Sequence, residues 1–376
     1  MSEKQASRAV NVSEYEALAR DALPQPEFDF LSGGACDELT LRRNVVAFQQ
    51  MLLLPRVLRD VTQRDLSTTL LGESSSLPII LAPVGCLGFF HAEAERAVAR
   101  AAAAAGIIYT LSSGPSYSVE QVAATGSGTR WFQLYPLRDK EVTRALVQRA
   151  ETEGYKALCL TVDSPILGKR DRNLRSQFVS DRRLLHQVLV NIGFDQLSED
   201  LSNHELQSFA IEQMGAALTW ETVDWLKSIT RMPLLLKGIL RPDDAFRAVE
   251  HEVAGIVVSN HGGRQLDGSP ATVEVLEEIV EVVDNQLEVF IDGGIRRGSD
   301  VVKALALGAK AVMVGRPYVW ALAAAGESGV SHAIEMLRDE LDRALAISGC
   351  SRISEVDRSL VRWTGPSVTG VSVPAS

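Results

Sequence analysis

Eight short apolar runs, rich in β-branched residues, recur between positions 78 and 316 of the chain. They cover residues 78–83, 107–112, 130–135, 157–163, 234–238, 255–260, 289–294 and 311–316. Most of them show no alternation of apolar and polar positions, which is typical of strands that are covered on both faces. The pattern therefore predicts eight buried strands.

Segments with helical features separate these runs. The predicted helices are residues 92–105, which stop at Gly106, residues 139–153, which stop at Gly154, and a helix capped by Ser299 that ends near Gly308. Alternating strands and helices indicate parallel β/α units, and eight units favour a closed (β/α)8 TIM barrel of the α/β class. A doubly wound open sheet is the alternative, but no GxGxxG turn follows the first strand.

The remaining segments are predicted to surround this barrel within a single domain that spans residues 1–376. The division is an N-terminal helical cap over the barrel (1–75, with helices at 12–22 and 38–48 and a later hairpin-like stretch), the barrel (76–363), an insertion after strand 4 (171–215) and a frayed tail (364–376). The length of the insertion indicates a lid over the active site. A surface insertion without function is the alternative.

Composition narrows the classes of function. Apolar residues make up 46% of the chain, the net charge is −10 and the pI is about 5.2. This balance argues against a nucleic-acid surface and against binding to anionic membranes. The first ten residues lack the apolar core of a secretory signal and no apolar run is long enough to span a bilayer, so we expect a cytoplasmic protein.

The four cysteines are Cys36, Cys86, Cys159 and Cys350, and they are widely scattered. No pair has metal-ligand spacing, so the sequence predicts no metal site. We expect reduced thiols without a catalytic role.

The run from Ser259 to Gly268 carries the clearest chemistry. His261 and Arg264 stand three residues apart among glycines, directly after the predicted sixth strand. Histidine moves protons near neutral pH, and arginine grips a carboxylate with two parallel hydrogen bonds. These residues predict an enzyme that removes a proton from a substrate held by its carboxylate.

Further polar residues and glycines gather where the predicted strands end. They are Pro83, Val84 and Gly85 after strand 1, Ser112, Gln133, Tyr135, Thr161, Asp163 and Lys237 on strands 2 to 5, Ser259 after strand 6, Asp292, Gly293, Gly294 and Arg296 after strand 7, and Gly315 and Arg316 after strand 8. The active site of a barrel lies at the carboxyl ends of its strands. We therefore expect these residues to share one site.

Two of these features leave alternatives open. Arg296 and Arg316, flanked by glycines, indicate a phosphate site, although they can also cover helix ends or pair with carboxylates. Lys237 ends a buried strand and needs an anionic partner. It fits a core salt bridge, or the Schiff-base lysine of a phosphate-binding barrel aldolase.

The SNHGGRQ run and the other motifs, in this order, resemble the FMN-dependent α-hydroxy-acid oxidising enzymes. That family includes glycolate and lactate oxidases, mandelate dehydrogenase and hydroxymandelate oxidase, and the resemblance covers residues 12–350. It implies that the chain binds FMN and forms a homo-oligomer, since members of the family are often tetramers. It also implies a cofactor site in which the phosphate is surrounded by Gly294, Arg296, Gly315 and Arg316. In this site Lys237 would lie beside N1 and O2 of the flavin, and the ring edge would be bound by Ser112, Gln133 and Thr161. The backbone of Pro83, Val84 and Gly85 would approach N5, and the site would be completed by Ser259, Asp292 and Gly293.

The resemblance also assigns roles toward the substrate. His261 would take the proton, and Asp163 is the best candidate to orient and stabilise its charged form. Arg264 would hold the substrate carboxylate, and Tyr135 would donate to the substrate hydroxyl or the developing oxo group. Arg170 would assist Arg264, unless it forms a salt bridge within the lid.

Three positions depart from the glycolate-oxidase pattern. Small-acid oxidases have a carboxylate-binding Tyr at position 30, whereas this chain has Phe30, which is similar to the hydroxymandelate oxidases. Gly114 replaces a large Trp that closes the pocket, and Gly85 replaces a more usual Ala. The first two changes predict a larger, aromatic or long-chain (S)-2-hydroxy acid such as mandelate or 4-hydroxymandelate.

The resemblance predicts oxidation to the 2-oxo acid, with O2 reduced to H2O2. A small-acid oxidase acting on lactate or glycolate is one alternative. A soluble dehydrogenase with another electron acceptor is a second.

Overall fold

The computed structural model describes residues 9–178, 181–194, 200–213 and 217–364. Three helices open the described chain: α1 (Glu14–Ala22), α2 (Gln25–Ser32) and α3 (Leu39–Gln49). A short strand β1 (Met51–Leu53) and a hairpin of β2 (Thr68–Leu70) and β3 (Glu73–Ser75) follow. The predicted tail, residues 364–376, lies outside the described residues except for Thr364.

Eight parallel strands then close into a barrel, which confirms the predicted TIM-barrel fold. They are β4 (Ile79–Leu81), β5 (Ile108–Leu111), β6 (Arg130–Leu134), β7 (Leu158–Thr161), β8 (Leu234–Ile239), β9 (Gly255–Val258), β10 (Glu288–Asp292) and β11 (Ala311–Val314). Each strand pairs with its neighbours in sequence, and β11 closes the circle on β4. The predicted runs extend past most of these strands because their last residues belong to the loops at the barrel mouth.

The helices that cover the barrel outside the insertion are α4 (Ala94–Ala105), α5 (Val119–Ala123), α6 (Lys140–Thr152), α10 (Trp220–Ile229), α11 (Pro242–Glu250), α12 (Thr272–Val283), α13 (Gly298–Ala306) and the long, kinked α14 (Arg316–Ile347). The prediction that Ser299 caps a helix is wrong. Ser299 lies inside α13, and the Asp300 carboxylate accepts the N–H groups of Arg296 and Arg297. A carboxylate is a better acceptor than a hydroxyl at the positive end of a helix.

The barrel interior is filled by alternate strand residues. Trp131 and Phe290 meet edge to face inside it, with ring centroids 5.5 Å apart. This inner core also contains Ile80, Ile108, Cys159, Leu235, Val257 and Met313. A second, larger core lies between the strands and the helices. Both faces of each strand are therefore covered, as the lack of alternation predicted.

The segment before the barrel does not lie on one side of it. Phe30 of α2 lines the cavity at the carboxyl ends of the strands. Leu70 of the hairpin packs instead into the inner core, and the N–H of Leu71 donates to the carboxylate of Glu288, the first residue of β10. The hairpin thus closes the amino end of the barrel, opposite to the predicted cap.

The insertion after β7 contains α7 (Asp171–Arg175), α8 (Arg182–Asn191) and α9 (Asn203–Gln213). A final strand β12 (Val361–Trp363) pairs with β1. Within the described part of the chain, no helix is long and apolar enough to cross a bilayer.

Candidate active site

A ring of polar side chains lies directly above the inner core. Strand side chains alternate between the two faces, so the residue two positions after an inward apolar residue also points inward. Five inner-core residues are followed in this way by buried polar residues. The inner-core residues are Trp131, Cys159, Leu235, Val257 and Phe290, and the polar residues two positions later are Gln133, Thr161, Lys237, Ser259 and Asp292. The fold therefore brings together the polar residues that the sequence placed at strand ends.

Lys237 and Asp292 form a buried ion pair in this ring. The Lys237 ammonium lies 3.0 Å from Asp292 Oδ2 and donates to Ser259 Oγ over 2.9 Å. Burial lowers the pKa of Lys237, but the nearby carboxylates of Asp292 and Asp163 outweigh burial and raise it. A Schiff-base lysine must be a neutral amine. The geometry therefore favours the salt bridge and a fixed positive charge over an aldolase nucleophile.

Gln133 connects two neighbouring strands across the ring. Its amide oxygen accepts from Ser112 Oγ over 3.0 Å, and its amide nitrogen donates to Thr161 Oγ1 over 2.9 Å. The Ser112 hydroxyl also accepts from the N–H of Gly114. These side chains hold one another and line the same cavity.

His261 lies between a carboxylate and a phenol. Its Nδ1 is 3.0 Å from Asp163 Oδ1, and its Nε2 is 3.3 Å from the Tyr135 hydroxyl. Burial lowers the pKa of His261 below its usual range, and this effect outweighs the opposite influence of Asp163. Burial would raise the pKa of Asp163, but His261 and Lys237 hold it below its usual range. The resulting pair is a neutral imidazole beside an ionised carboxylate.

This charge state fixes the tautomer of His261. An ionised carboxylate only accepts hydrogen bonds, so Nδ1 carries the hydrogen and Nε2 keeps its lone pair. Burial raises the pKa of Tyr135 to about 12, so its hydroxyl keeps its proton at neutral pH. The site therefore holds a basic nitrogen and an O–H donor within hydrogen-bond distance of each other.

Two glycines allow this packing. At Gly238 a Cβ atom would lie 2.6 Å from the Cβ of Asp163, and φ is +119°. At Gly294 a Cβ would collide with the backbone of Asn44 in α3. Both positions need the conformational freedom and small size of glycine.

Arg264 and Arg170 are half-buried arginines at the mouth of the cavity. Through Nη1, Arg264 donates to the carbonyl oxygens of Phe30 and Gly33 at the end of α2 over 2.8 and 2.9 Å. Arg170 Nε is buried without a hydrogen-bond partner among the described residues. Within that part of the chain, neither guanidinium lies within 4.0 Å of a carboxylate, so the alternative of a lid salt bridge for Arg170 is not seen there. Burial lowers the pKa of both groups.

Arg296 and Arg316 form a second pair of arginines along the cavity. Arg296 lies over the ring of Trp320, with 5.0 Å between its guanidinium carbon and the ring centroid. Arg316 donates to the carbonyl oxygens of Leu31, Gly33 and Gly262. Burial, helped by the charge of Arg296, lowers the pKa of Arg316 to about 9.

The contacts of Arg316 differ in part from those expected of a phosphate site. The side chain of Arg316 covers the carboxyl end of α2, which is the helix-end alternative to a phosphate site, and it also links α2 to Gly262 of the His261 loop. Neither arginine pairs with a carboxylate among the described residues, so both half-buried positive charges can attract an anionic ligand.

The three positions that depart from the glycolate-oxidase pattern also line the cavity. The ring of Phe30 lies under both mouth arginines, with its centroid 5.3 Å from Arg264 and 5.9 Å from Arg170. A Cβ at Gly85 would lie 3.2 Å from the carbonyl oxygen of Gly114, so an alanine there would press on the neighbouring loop. The side chain nearest to an added Cβ at Gly114 is Val188 of the insertion, at 4.0 Å.

Several residues of the site escaped sequence reasoning. Cavity-lining residues that were not predicted include Cys86, Leu137, Phe178, Leu185, Val188, Leu189 and Ile192. The insertion reads as polar overall, but Leu185, Val188, Leu189 and Ile192 follow the spacing of one helical face, and this signal was available. The Asn44–Asn260 pair was also missed. Their side-chain amides exchange hydrogen bonds of 2.9 and 2.8 Å between α3 and the His261 loop.

The comparisons with known proteins agree with this arrangement. A family model for FMN-dependent dehydrogenases matches residues 19–363. The chain belongs to the FMN-dependent dehydrogenase family. It is 48% identical to a glycolate oxidase of Spinacia oleracea over 96% of this chain and 98% of the relative, and 47% identical to an L-lactate oxidase of a Nostoc species over 94% and 98%.

A solved structure of a mandelate oxidase with (S)-2-phenylpropionate is also similar. Its TM-score is 0.82 and its sequence identity 43%, and the match covers 93% of this chain and 97% of that one. In sequence and fold the chain is thus of the FMN-dependent 2-hydroxy-acid oxidase type that includes glycolate, lactate and mandelate oxidases.

FMN is therefore the cofactor, and the residues present fit it. The cavity has a volume of about 660 Å³ and extends from Arg296 and Arg316 to His261 and Tyr135. The two arginines would supply positive charge for the phosphate, and Lys237 would supply a fixed positive charge in the polar ring. Gly293 and Gly294, both with positive φ, line the same cavity.

Proposed function

We propose that this protein oxidises an (S)-2-hydroxy acid with an aromatic side chain, such as mandelate or 4-hydroxymandelate, to the 2-oxo acid. O2 is the electron acceptor and is reduced to H2O2. The observation that carries this proposal is the neutral base at His261 beside two arginines that lack a carboxylate partner among the described residues.

The mouth arginines recognise the substrate carboxylate. Arg264 is held through Nη1 by the carbonyls at the end of α2, so Nε and Nη2 remain to form a fork. Arg170, with its buried Nε unpartnered, adds a second cation. Binding one carboxylate restores a favourable environment to two desolvated guanidinium groups.

His261 and Tyr135 act on the hydroxyl-bearing carbon of the bound acid. The oxidation removes two electrons and two protons from the substrate, and FMN, when it is bound, would accept both electrons and one of the protons. His261 Nε2 takes one proton, and Asp163 stabilises the imidazolium that forms. Tyr135, with its raised pKa, stays protonated and donates to the substrate oxygen.

The apolar lining supports a large side chain. Phe30 stacks on Phe178 with centroids 4.4 Å apart, and Phe89 meets Phe178 edge to face at 5.4 Å. Phe30 also removes a hydroxyl donor that would bind the carboxylate of a small acid. Such a hydrogen bond contributes about 0.5–1.5 kcal/mol net, so its absence weighs most on substrates with few other contacts.

The relatives named glycolate oxidase and L-lactate oxidase support a second candidate, a small 2-hydroxy acid. The word oxidase in these names supports O2 as the acceptor. Steady-state kcat/KM values for glycolate, (S)-lactate and (S)-mandelate, with H2O2 measured in parallel, separate the candidates. We expect the highest value for mandelate and one H2O2 per turnover. The highest value for glycolate would overturn the aromatic assignment, and turnover only with an added dye would overturn O2 as acceptor.

A further inference from the structure

The insertion helix α8 lies across both loops that border the substrate end of the cavity. Asn191 at its end donates to the carbonyl oxygen of Pro115 over 3.1 Å, next to Gly114. Near the start of the helix, the side chain of Leu184 packs against Gly88. A Cβ atom on Gly88 would lie only 2.9 Å from Leu184 Cδ1. The helix is thus fixed at one end on the loop after β5 and at the other on the loop after β4.

Between these two ends, Val188 is buried and points at Gly114. Its Cγ1 is 4.0 Å from the position of a Cβ on Gly114, at ordinary van der Waals distance, and apart from the chain neighbours Ser113 and Pro115 no other heavy atom of the described chain lies as near. The space left by the missing side chain at position 114 is therefore bounded by the insertion rather than by the barrel. Leu185, Leu189 and Ile192 continue the same apolar wall.

We propose that Val188 sets the size of the side chain that the substrate can carry, with Gly114 directly beside it in the cavity lining. The acid is then selected by two separate parts of the chain. The mouth arginines bind its carboxylate, while α8 limits its side chain. This inference rests on the proposed function, because it assumes that a 2-hydroxy acid binds at His261.

Substitution of Val188→Phe tests the inference. A phenyl ring at this position fills the space next to Gly114, and a pocket that loses such space rejects a larger side chain by about 10–200-fold. We expect kcat/KM for (S)-mandelate to fall at least tenfold and kcat/KM for (S)-lactate to change less than threefold. Val188→Ala should leave lactate unchanged and raise the relative rate with acids that are bulkier than mandelate.

Val190→Phe is the matched control. It makes the same change two residues along the same helix, and Val190 is not among the described residues that line the cavity. Both variants should keep the visible FMN spectrum and the Tm of the wild type. The ratio of the two kcat/KM values should then move in Val188→Phe and stay constant in Val190→Phe.

The measured quantity is a ratio between two acids, so it separates this inference from the proposed function. A wild-type preference for lactate over mandelate would contradict the aromatic assignment, yet Val188→Phe would still be expected to lower the ratio of mandelate to lactate. Equal losses for both acids, or no change for either, would overturn the role of Val188.

Discussion

His261 Nδ1 lies 3.0 Å from Asp163 Oδ1, although the two residues follow different strands of the barrel. Gly238, at the end of the strand between them, makes the contact possible because any side chain there would collide with Asp163. The carboxylate fixes the tautomer of the imidazole and keeps Nε2 available toward Tyr135. This pair is the centre of the proposed chemistry.

Replacement of His261 should abolish oxidation without loss of the cofactor. In His261→Ala the arginines and Lys237 remain, so the protein should stay yellow. The anaerobic rate of reduction by the acid should fall by about 10²–10⁴-fold, the usual contribution of a general base. His204→Ala, an exposed change on α9, is the control and should have no effect. Retained turnover in His261→Ala would remove this residue from the role of base.

The pH dependence should follow the pKa of His261. The neutral form is active, and its pKa lies below the usual value of 6.5, so the rate of reduction should be level at neutral pH and fall only at more acidic pH. In Asp163→Asn the charge that raises this pKa is lost. The acid limb should therefore move to lower pH, while the plateau falls by roughly 10²-fold. An acid limb that moves to higher pH would contradict the assignment.

The missing hydroxyl at position 30 can be restored. Phe30→Tyr adds a hydrogen-bond donor next to Arg264. A net hydrogen-bond free energy of about 0.5–1.5 kcal/mol corresponds to a rise in kcat/KM for glycolate of roughly two- to twelvefold. The value for mandelate should change less. Phe246→Tyr makes the same change on an exposed surface and serves as control. A larger gain for mandelate than for glycolate would show that position 30 does not discriminate by substrate size.

The buried ion pair predicts a loss of stability. Lys237→Met leaves Asp292 buried without its partner, which costs about 3–5 kcal/mol in the free energy of unfolding. Chemical denaturation should show this loss, and Lys156→Met at an exposed position should be neutral. A borohydride-trapped adduct between Lys237 and a carbonyl compound would instead support the aldolase alternative.

The polar ring could be predicted from the sequence because it follows from one rule. Gln133, Thr161 and Lys237 stand two positions after inward apolar residues, so their place at the strand ends follows from the alternation of a buried strand. The identity of Asp292 as the partner of Lys237 could not be predicted, since the two residues belong to strands separated by β9 and meet only in the closed barrel.

The surroundings of the barrel were harder to predict. The hairpin at Leu70 closes the amino end because that end of the inner core is open, which becomes apparent only once the strands are in place. The apolar face of α8 is present in the sequence, but charged neighbours such as Arg182 and Arg183 make the insertion read as polar. The tetramer and the cytoplasmic location stay predictions.

The most direct test of the account is an anaerobic titration of the purified holoenzyme, followed by its visible spectrum. With (S)-mandelate we predict bleaching of the flavin absorption at one equivalent per active site, and return of the colour with H2O2 when air is admitted. A yellow spectrum that stays unchanged with mandelate, lactate and glycolate alike would contradict the claim that His261 and the two mouth arginines form a site for 2-hydroxy acids.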